Sequence, residues 1–281
     1  MPDPSRLLHT LNQAIQLFRA TPGRRGRVIA IEDAADVMVT GDLHGNVDSF
    51  RRLLQKADLV KNPRRHLVLQ EVVHGPFRYP DGGDKSHQLL DLVAALKCQF
   101  PRQVHFLIGN HELSQGSRRR IAKNDVDLNE LFRQGVGTAY GARAAEVYGA
   151  YLELFAAAPL TVRTVNRVFI SHSLPSAMNH TAGFLAGLEK DQNSEADLLP
   201  GGCVHSLVWG RDTSQANAAA FLKLVDADWL ITGHIPCDRG YDLPNDNQII
   251  LDSMGAIAAY CLFPAEKRLT REDLVACIAT L

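Results

Sequence analysis

Five short apolar runs in this chain of 281 residues each end in a residue type that can bind a metal ion. The runs have the length and the flanking residues typical of buried strands. The ligand-type residues at or just after their ends are Asp42, His44, Glu71, Asn110, His172 and His234. Each of them alone would more often be an ordinary polar residue of a turn or of the core. Because α/β proteins bind ligands at the carboxyl ends of their strands, the recurrence predicts that the six residues form one site.

Segments with helical periodicity alternate with these strands. Leu11, Ile15 and Phe18 lie on one face of an amphipathic helix predicted over Ser5–Arg19. This alternation favours an α/β fold. The chain contains no repeat, low-complexity stretch or linker that would divide it, so we expect one domain.

Three further predictions concern the second half of the chain. Residues 179–206 show little periodicity and are predicted to be irregular. Strands are predicted at 248–251 and 256–262, and we expect them to pair with each other. A last helix is predicted to begin near Thr270, because Asp273 three residues later completes a capping box.

Charge and cysteine content exclude several kinds of partner. The 30 Lys and Arg residues and 31 Asp and Glu residues give a net charge of −1, so neither nucleic acid nor an anionic membrane is expected as a partner. Two arginine clusters, at 24–27 and 118–120, are expected to be solvated. The five cysteines are scattered, and no apolar run resembles a signal peptide or a membrane span. We therefore expect a cytoplasmic protein with reduced thiols.

The six ligand-type residues also indicate which cations the site binds. A mixture of carboxylate, imidazole and amide ligands suits Mn, Fe, Zn or Co. Six ligands are more than a single structural zinc ion requires. The sequence therefore predicts two divalent metal ions that share one carboxylate.

Four motifs in order resemble those of the phosphoprotein phosphatase family of calcineurin-like metallophosphoesterases. They are GDLHG (41–45), GNHE (109–112), a histidine after a strand at 172 and GH (233–234). The resemblance extends from about Val37 to Gly255. It implies an α/β sandwich of mixed β-sheets flanked by helices, in a single domain over 1–281 with its motif-bearing core at about 37–263. By this resemblance the metal ligands and the proton donor are assigned as follows: Asp42 and His44 bind the first metal, Asn110, His172 and His234 bind the second, and His111 is the proton donor.

The second motif departs from the pattern of that family, which is GD-x-x-DRG. Here the strand ends in Gln70 and Glu71, and VVHGPFRYPDGG (72–83) follows. Glu71 is expected to bridge the metals with one more methylene group than aspartate, although His74 or Asp81 could take the bridge instead. Either Asp81 or His74 would orient His111. The phosphate-binding arginine of the motif is missing, and Arg78 or Arg211 could replace it.

Together these features predict a phosphatase that hydrolyses phosphomonoesters with hydroxide formed from water between two Mn, Fe or Zn ions. The resemblance favours a relative of serine/threonine protein phosphatases, acting on a phosphorylated protein or small molecule. One alternative is a nucleotide or small-molecule phosphatase. Another is a non-catalytic relative that binds phosphate or a partner, which the altered second motif favours and the retained Asn110 and His111 argue against.

Overall fold

The computed structural model describes residues 3–117, 121–123 and 126–281. The strands are β1 (Arg24–Arg25), β2 (Val28–Ile31), β3 (Asp36–Asp42), β4 (Arg65–Gln70), β5 (Val104–Leu107), β6 (Ala122–Lys123), β7 (Val126–Asp127), β8 (Thr161–Thr164), β9 (Val168–Ser171), β10 (Trp229–Thr232), β11 (Tyr241–Asn245), β12 (Gln248–Leu251), β13 (Ala259–Pro264) and β14 (Ile278–Thr280). The helices are α1 (Pro4–Arg19), α2 (Val47–Ala57), α3 (His87–Gln99), α4 (Asn110–Ser117), α5 (Leu128–Tyr140), α6 (Ala144–Ala157), α7 (Phe184–Leu188), α8 (Glu195–Leu198), α9 (Cys203–Trp209), α10 (Gln215–Leu224) and α11 (Arg271–Ala276).

Two mixed β-sheets form the centre of the molecule. One has the strand order β14–β13–β3–β4–β5, and the other has the order β1–β2–β8–β9–β10–β12–β11. Strands β3, β4 and β5 are parallel, as are β9, β10 and β12. Asp42, the last residue of β3, lies against His172, the first residue after β9. The carboxyl ends of parallel strands from both sheets therefore meet at one end of the structure.

Alternation of side chains along the strands explains how the layers pack. Val39 of β3 and Ile170 of β9 belong to the apolar core between the two sheets. Their neighbours Met38 and Phe169 point the opposite way and pack with the helices on the outer faces. Phe169, for example, contacts Phe221 of α10 edge to face, with ring centroids 5.4 Å apart. The resulting order of helix, sheet, sheet and helix layers confirms the predicted fold class.

The amino-terminal helix is part of this core. It begins one residue before the predicted start, where Asp3 caps it by accepting hydrogen bonds from the backbone N–H groups of Ser5 and Arg6. Its apolar face packs against α3 and α6. Phe18 is fully buried there, and its ring centroid lies 4.7 Å from Nζ of Lys97.

The predicted pairing of residues 248–251 with 256–262 was wrong. Strand β12 lies between β10 and β11, whereas β13 lies between β3 and β14 in the other sheet. The segment between β12 and β13 crosses from one sheet to the other, so it does not form a hairpin. The hairpin partner of β12 is β11, whose Pro244 is tolerated because β11 is an edge strand.

One other prediction held only in part, and another failed. Residues 179–206 contain α7, α8 and the beginning of α9, and these helices are too short to produce a clear period. Arg27 is not solvated: its side chain is buried and donates hydrogen bonds to Phe155 O (2.7 Å) and Ala158 O (2.9 Å) at the end of α6. The arginines at 118–120 lie outside the described residues.

Several remaining expectations are consistent with the structure. Thr270 and Asp273 form both halves of a capping box at α11, as predicted. The five cysteines are free thiols. Within the described part of the chain, no helix has the length and apolar character needed to cross a membrane.

Replacing Phe18 by alanine should lower the free energy of unfolding by about 3–5 kcal/mol, because the change leaves a cavity between α1 and its neighbours. Urea denaturation followed by circular dichroism measures this. Gln13, exposed on the same helix, provides the control, and Gln13→Ala should change stability by less than about 0.5 kcal/mol. A Phe18→Ala variant as stable as this control would show that α1 does not belong to the cooperative core.

Candidate active site

The six ligand-type residues meet at the carboxyl ends of β3, β4, β5, β9 and β10. His44 Nε2 lies 3.4 Å from Glu71 Oε2, and Asp42 Oδ1 lies 3.5 Å from His172 Nδ1. His172 Nε2 in turn lies 3.0 Å from Asn110 Oδ1 and 3.2 Å from His234 Nδ1. The predicted convergence of these residues on one cluster is confirmed.

One half of the cluster contains Asp42, His44 and Glu71. His44 Nδ1 donates a hydrogen bond to Val73 O at 2.8 Å, which leaves the lone pair of Nε2 directed toward Glu71. Such a bond from the second ring nitrogen is the usual way in which proteins orient a metal-binding histidine. Asp42 Oδ2 accepts the backbone N–H of His234 at 2.9 Å, so the other oxygen, Oδ1, is left to face the cluster.

The other half contains Asn110, His172 and His234. His172 Nε2 has Asn110 Oδ1, His234 Nδ1 and Glu71 Oε1 all within 3.5 Å, yet it can donate a hydrogen bond to only one of them. Atoms bound to a common cation at about 2.0–2.2 Å lie roughly 3–3.5 Å apart. The distances from His172 Nε2 to the other three atoms are therefore compatible with a shared cation.

Glu71 belongs to both halves. Its Oε2 faces His44, whereas its Oε1 lies 3.5 Å from His172 Nε2 and accepts the backbone N–H of His111 at 2.8 Å. Glu71 has a left-handed backbone conformation (φ 31°), and its carboxyl group lies directly against Gly109. A Cβ atom at position 109 would lie only 2.0 Å from Glu71 Oε1, so the site needs glycine there.

Three buried atoms of the cluster lack a hydrogen-bond partner among the described residues. They are Asp42 Oδ1, His172 Nδ1 and His234 Nε2. A buried oxygen such as Asp42 Oδ1 is normally satisfied by a hydrogen bond or a cation. If His172 Nδ1 and His234 Nε2 carry the protons, then His172 Nε2 and His234 Nδ1 present two lone pairs to each other at 3.2 Å, an arrangement that a cation between them would stabilise. The residues therefore fit a pair of divalent cations.

Burial sets the protonation of these side chains in the absence of a cation. It raises the pKa values of Asp42 and Glu71 well above the usual range, and the charge of Asp42 raises the pKa of Glu71 further. Burial lowers the pKa of His172 well below its usual value and the pKa of His234 to about 3. The imidazoles are therefore neutral, which is the form that binds metals, and they bring no positive charge to the carboxylates.

Glu112 supports the site, although the sequence analysis gave it no role. It is fully buried, and its carboxylate accepts the backbone N–H groups of Val72, Val73 and Gly109 at 2.8–3.0 Å. These bonds join the loop after β4 to the loop after β5, and thereby fix the positions of Glu71 and His111 relative to each other. Its position in the GNHE motif (109–112) is the sequence feature that could have indicated this supporting role.

His74, and not Asp81, is the partner of His111. The two Nδ1 atoms of His74 and His111 are 2.8 Å apart, and burial lowers the pKa of His74 to about 3. Asp81 is exposed, and its carboxylate accepts hydrogen bonds from Thr138 Oγ1 and from Gly83 N instead. The expectation that Asp81 belongs to the site is therefore corrected: the hairpin that follows residue 76 turns it away from the cluster.

The cluster lies at the base of an open cleft of about 450 Å³. Both arginines considered for phosphate binding, Arg78 and Arg211, line this cleft, and so does His111. Arg78 Nη1 lies 3.2 Å from Oδ1 of the buried Asp84 across the short hairpin of the second motif. Arg211 is exposed just beyond α9. Two guanidinium groups therefore border the space above the cluster.

Comparison with known proteins agrees with this geometry. The chain is 26% identical over 245 residues to a probable serine/threonine-protein phosphatase of Encephalitozoon cuniculi, a match that covers 79% of the chain and 47% of the relative. The chain spans about half, or less, of the length of the curated relatives it matches.

Solved structures share the fold. A serine/threonine phosphatase of Saccharomyces cerevisiae with similarity to human phosphatase PP5 superimposes with a TM-score of 0.73 at 18% identity, over 100% of this chain and 90% of that one. A cold-active protein-tyrosine phosphatase of a psychrophilic Shewanella gives 0.62 at 16% identity, over 95% and 84%.

The match to a family model is more extensive than any single motif. Residues 35–238, which hold all six ligand-type residues, match the family described as calcineurin-like phosphoesterase. This agrees with the resemblance found in the motifs, and the chain belongs to the calcineurin-like phosphoesterase family.

Proposed function

We propose that this protein is a dinuclear-metal phosphatase that hydrolyses phosphomonoesters. The observation that supports this best is the position of Glu71, whose two oxygens face two separate groups of ligand-type atoms. One cation would be held by Asp42, His44 and Glu71. The other would be held by Glu71 together with Asn110, His172 and His234. When bound, two such cations lower the pKa of water and offset charge on phosphate oxygens.

The remaining polar residues of the cleft have roles that follow from their positions. His111 lines the cleft next to Asn110, so we assign it as the donor to the leaving-group oxygen. Arg78 and Arg211 are assigned to the phosphate, because a guanidinium group can donate two parallel hydrogen bonds to it. The ion pair with Asp84 holds Arg78 in place when no phosphate is bound.

Phosphorylated serine and threonine residues of proteins are the substrates we propose first. The relative from Encephalitozoon cuniculi is described as a probable serine/threonine-protein phosphatase, which supports this assignment. The second motif departs from the family pattern, and the hairpin that replaces it places Arg78 in one wall of the cleft. Because this wall would contact the substrate, a nucleotide or small-molecule phosphatase is the second candidate. Mn, Fe and Zn are the metals that suit the ligand types.

We also propose that residues 1–281 form one cytoplasmic domain. Helix α1 and strands β13 and β14 lie outside the matched residues 35–238, yet β13 pairs with β3 and α1 packs on α3. The five free thiols are consistent with a reducing compartment.

A phosphatase screen with added Mn²⁺ tests the proposed function. We expect metal-dependent release of phosphate, fastest from phosphoserine and phosphothreonine peptides in a panel that also contains phosphotyrosine peptides, nucleotides and sugar phosphates. Faster hydrolysis of nucleotides or sugar phosphates would favour the second candidate. Bound metal without hydrolysis of any ester would identify a non-catalytic relative.

Replacing Glu71 by glutamine should weaken the binding of both metals, because the change removes the negative charge that they share. We expect the wild type to bind about two equivalents per chain and Glu71→Gln to bind fewer than one. Metal analysis after gel filtration measures the content. The exposed Glu153 offers the control, since Glu153→Gln should keep both equivalents. Full occupancy at unchanged affinity in Glu71→Gln would place the bridge elsewhere.

Replacing Gly109 by alanine should displace Glu71 without removing any ligand. A Cβ atom there would overlap Glu71 Oε1, so we expect the affinity for metal to fall about 10–100-fold. Gly116 on α4 has open space around it, and Gly116→Ala should leave the affinity unchanged. Titration with Mn²⁺ of both variants compares them. Equal affinities would show that the contact between Gly109 and Glu71 does not control the site.

Replacing His111 by alanine should separate catalysis from metal binding. We expect turnover to fall roughly 10²–10⁴-fold, the usual effect of losing a donor to the leaving group, with metal content unchanged. The exposed His9 provides the control, and His9→Ala should retain full activity. Loss of metal together with activity would instead make His111 a ligand, a role that its proximity to His44 and Glu71 would permit.

A further inference from the structure

A chain of buried hydrogen bonds leads from His111 into the core. His111 Nδ1 lies 2.8 Å from His74 Nδ1, and His74 Nε2 lies 2.6 Å from Gln115 Nε2. Tyr148 donates its hydroxyl to Gln115 Oε1 at 2.8 Å. His74 and Gln115 are both buried, and Glu71, Asn110 and the other ligand-type residues take no part in these three bonds.

The orientation of the Gln115 amide follows from its neighbours. In the structure Asn129 Nδ2 donates to the backbone oxygen of Ser114 at 3.4 Å, and Asn129 Oδ1 faces both the Ser114 hydroxyl, at 2.8 Å, and Gln115. Gln115 Nε2 donates to that oxygen at 3.2 Å. The same amide nitrogen is the one that faces His74, and an amide nitrogen can only donate hydrogen bonds.

With the two amides in this orientation, the direction of every bond in the chain follows. Because Gln115 Nε2 donates to His74 Nε2, a neutral His74 carries its proton on Nδ1. His74 Nδ1 therefore donates to His111 Nδ1. That bond leaves His111 with its proton on Nε2, the ring nitrogen remote from His74, in a side chain that lines the cleft.

We infer that His74 and Gln115 are positioning residues that hold His111 in the tautomer with Nε2–H directed to the leaving-group oxygen. The inference rests on the proposed function in that it needs His111 as the donor. As an attacking hydroxide would bond to phosphorus and the bond to the leaving oxygen would break, His111 Nε2–H would donate a hydrogen bond to that oxygen and stabilise its negative charge until it takes a proton from solvent. Its benefit is greatest for a leaving oxygen that is strongly basic, because such an oxygen gains most from a donor.

Nitrogen NMR of histidine in the wild-type protein tests the inference without using activity. Protein labelled with ¹⁵N-histidine and loaded with diamagnetic Zn²⁺ gives long-range ¹H–¹⁵N spectra that distinguish the two neutral tautomers. Comparison with His111→Ala and with His74→Phe assigns the two rings. We expect the Nε2–H form for His111 and the Nδ1–H form for His74. The Nδ1–H form for His111 would overturn the inference.

A substitution at Gln115 extends the test to catalysis. Gln115→Met removes the donor while keeping a similar volume, so we expect both tautomers of His111 to appear in the spectrum. We expect kcat for phenyl phosphate to fall about tenfold, with KM unchanged and a smaller loss for p-nitrophenyl phosphate, whose leaving group is less basic. The exposed Gln13 is the matched control, and Gln13→Met should change neither spectrum nor rate.

The outcomes distinguish this inference from the proposed function. Equal losses on the two esters, or an unchanged tautomer of His111 in Gln115→Met, would overturn the inference even if the enzyme is active. If Gln115→Met does not fold, the wild-type spectrum decides. If no ester is hydrolysed by the wild type, the proposed function fails, whereas the tautomer measured in the same protein still tests the hydrogen-bond chain.

Discussion

Buried negative charge is the constraint on which the site depends. Asp42 and Glu71 are both buried, and no lysine or arginine forms an ion pair with either of them within the described part of the chain. The pKa values of both carboxyl groups are raised, because burial without a positively charged ion-pair partner makes the ionised forms unfavourable. The neighbouring imidazoles cannot supply that charge, because burial lowers the pKa values of His172 and His234. Divalent cations could supply it, and groups of carboxylate and imidazole atoms that could bind them lie within 4.8 Å of one another.

The backbone around this charge is held in conformations that most residues avoid. Of the seven non-glycine residues with positive φ in the described chain, three belong to the cluster, His44, Glu71 and His234, and a fourth, His74, contacts His111. Such conformations cost energy, and surrounding hydrogen bonds must maintain them. Glu112 contributes by binding three backbone N–H groups of the loops after β4 and β5. The unusual glutamate at position 71 thus depends on two further features, the absence of a side chain at Gly109 and the carboxylate of Glu112.

The sequence predicted the position of the ligand-type residues well, because each one directly follows a local signal, a short apolar run. It could not choose between His74 and Asp81. Both lie in the irregular segment 72–83, and only the tertiary contacts show that Asp81 turns toward Thr138. Sheet assignment failed for β12 and β13, since consecutive strands need not pair with each other. Arg27 was misjudged for a similar reason: the carbonyl groups that bind it lie about 130 residues away in sequence, at the end of α6.

The central proposal is that Glu71 would be shared by two cations, one beside Asp42 and His44 and the other beside Asn110, His172 and His234. Anomalous diffraction from Mn²⁺-loaded crystals measures this directly, because it locates each ion without assuming its ligands. We expect two peaks about 3.5–4 Å apart, with the carboxylate of Glu71 bound to both. A single peak, or two peaks with Glu71 bound to neither, would contradict the claim.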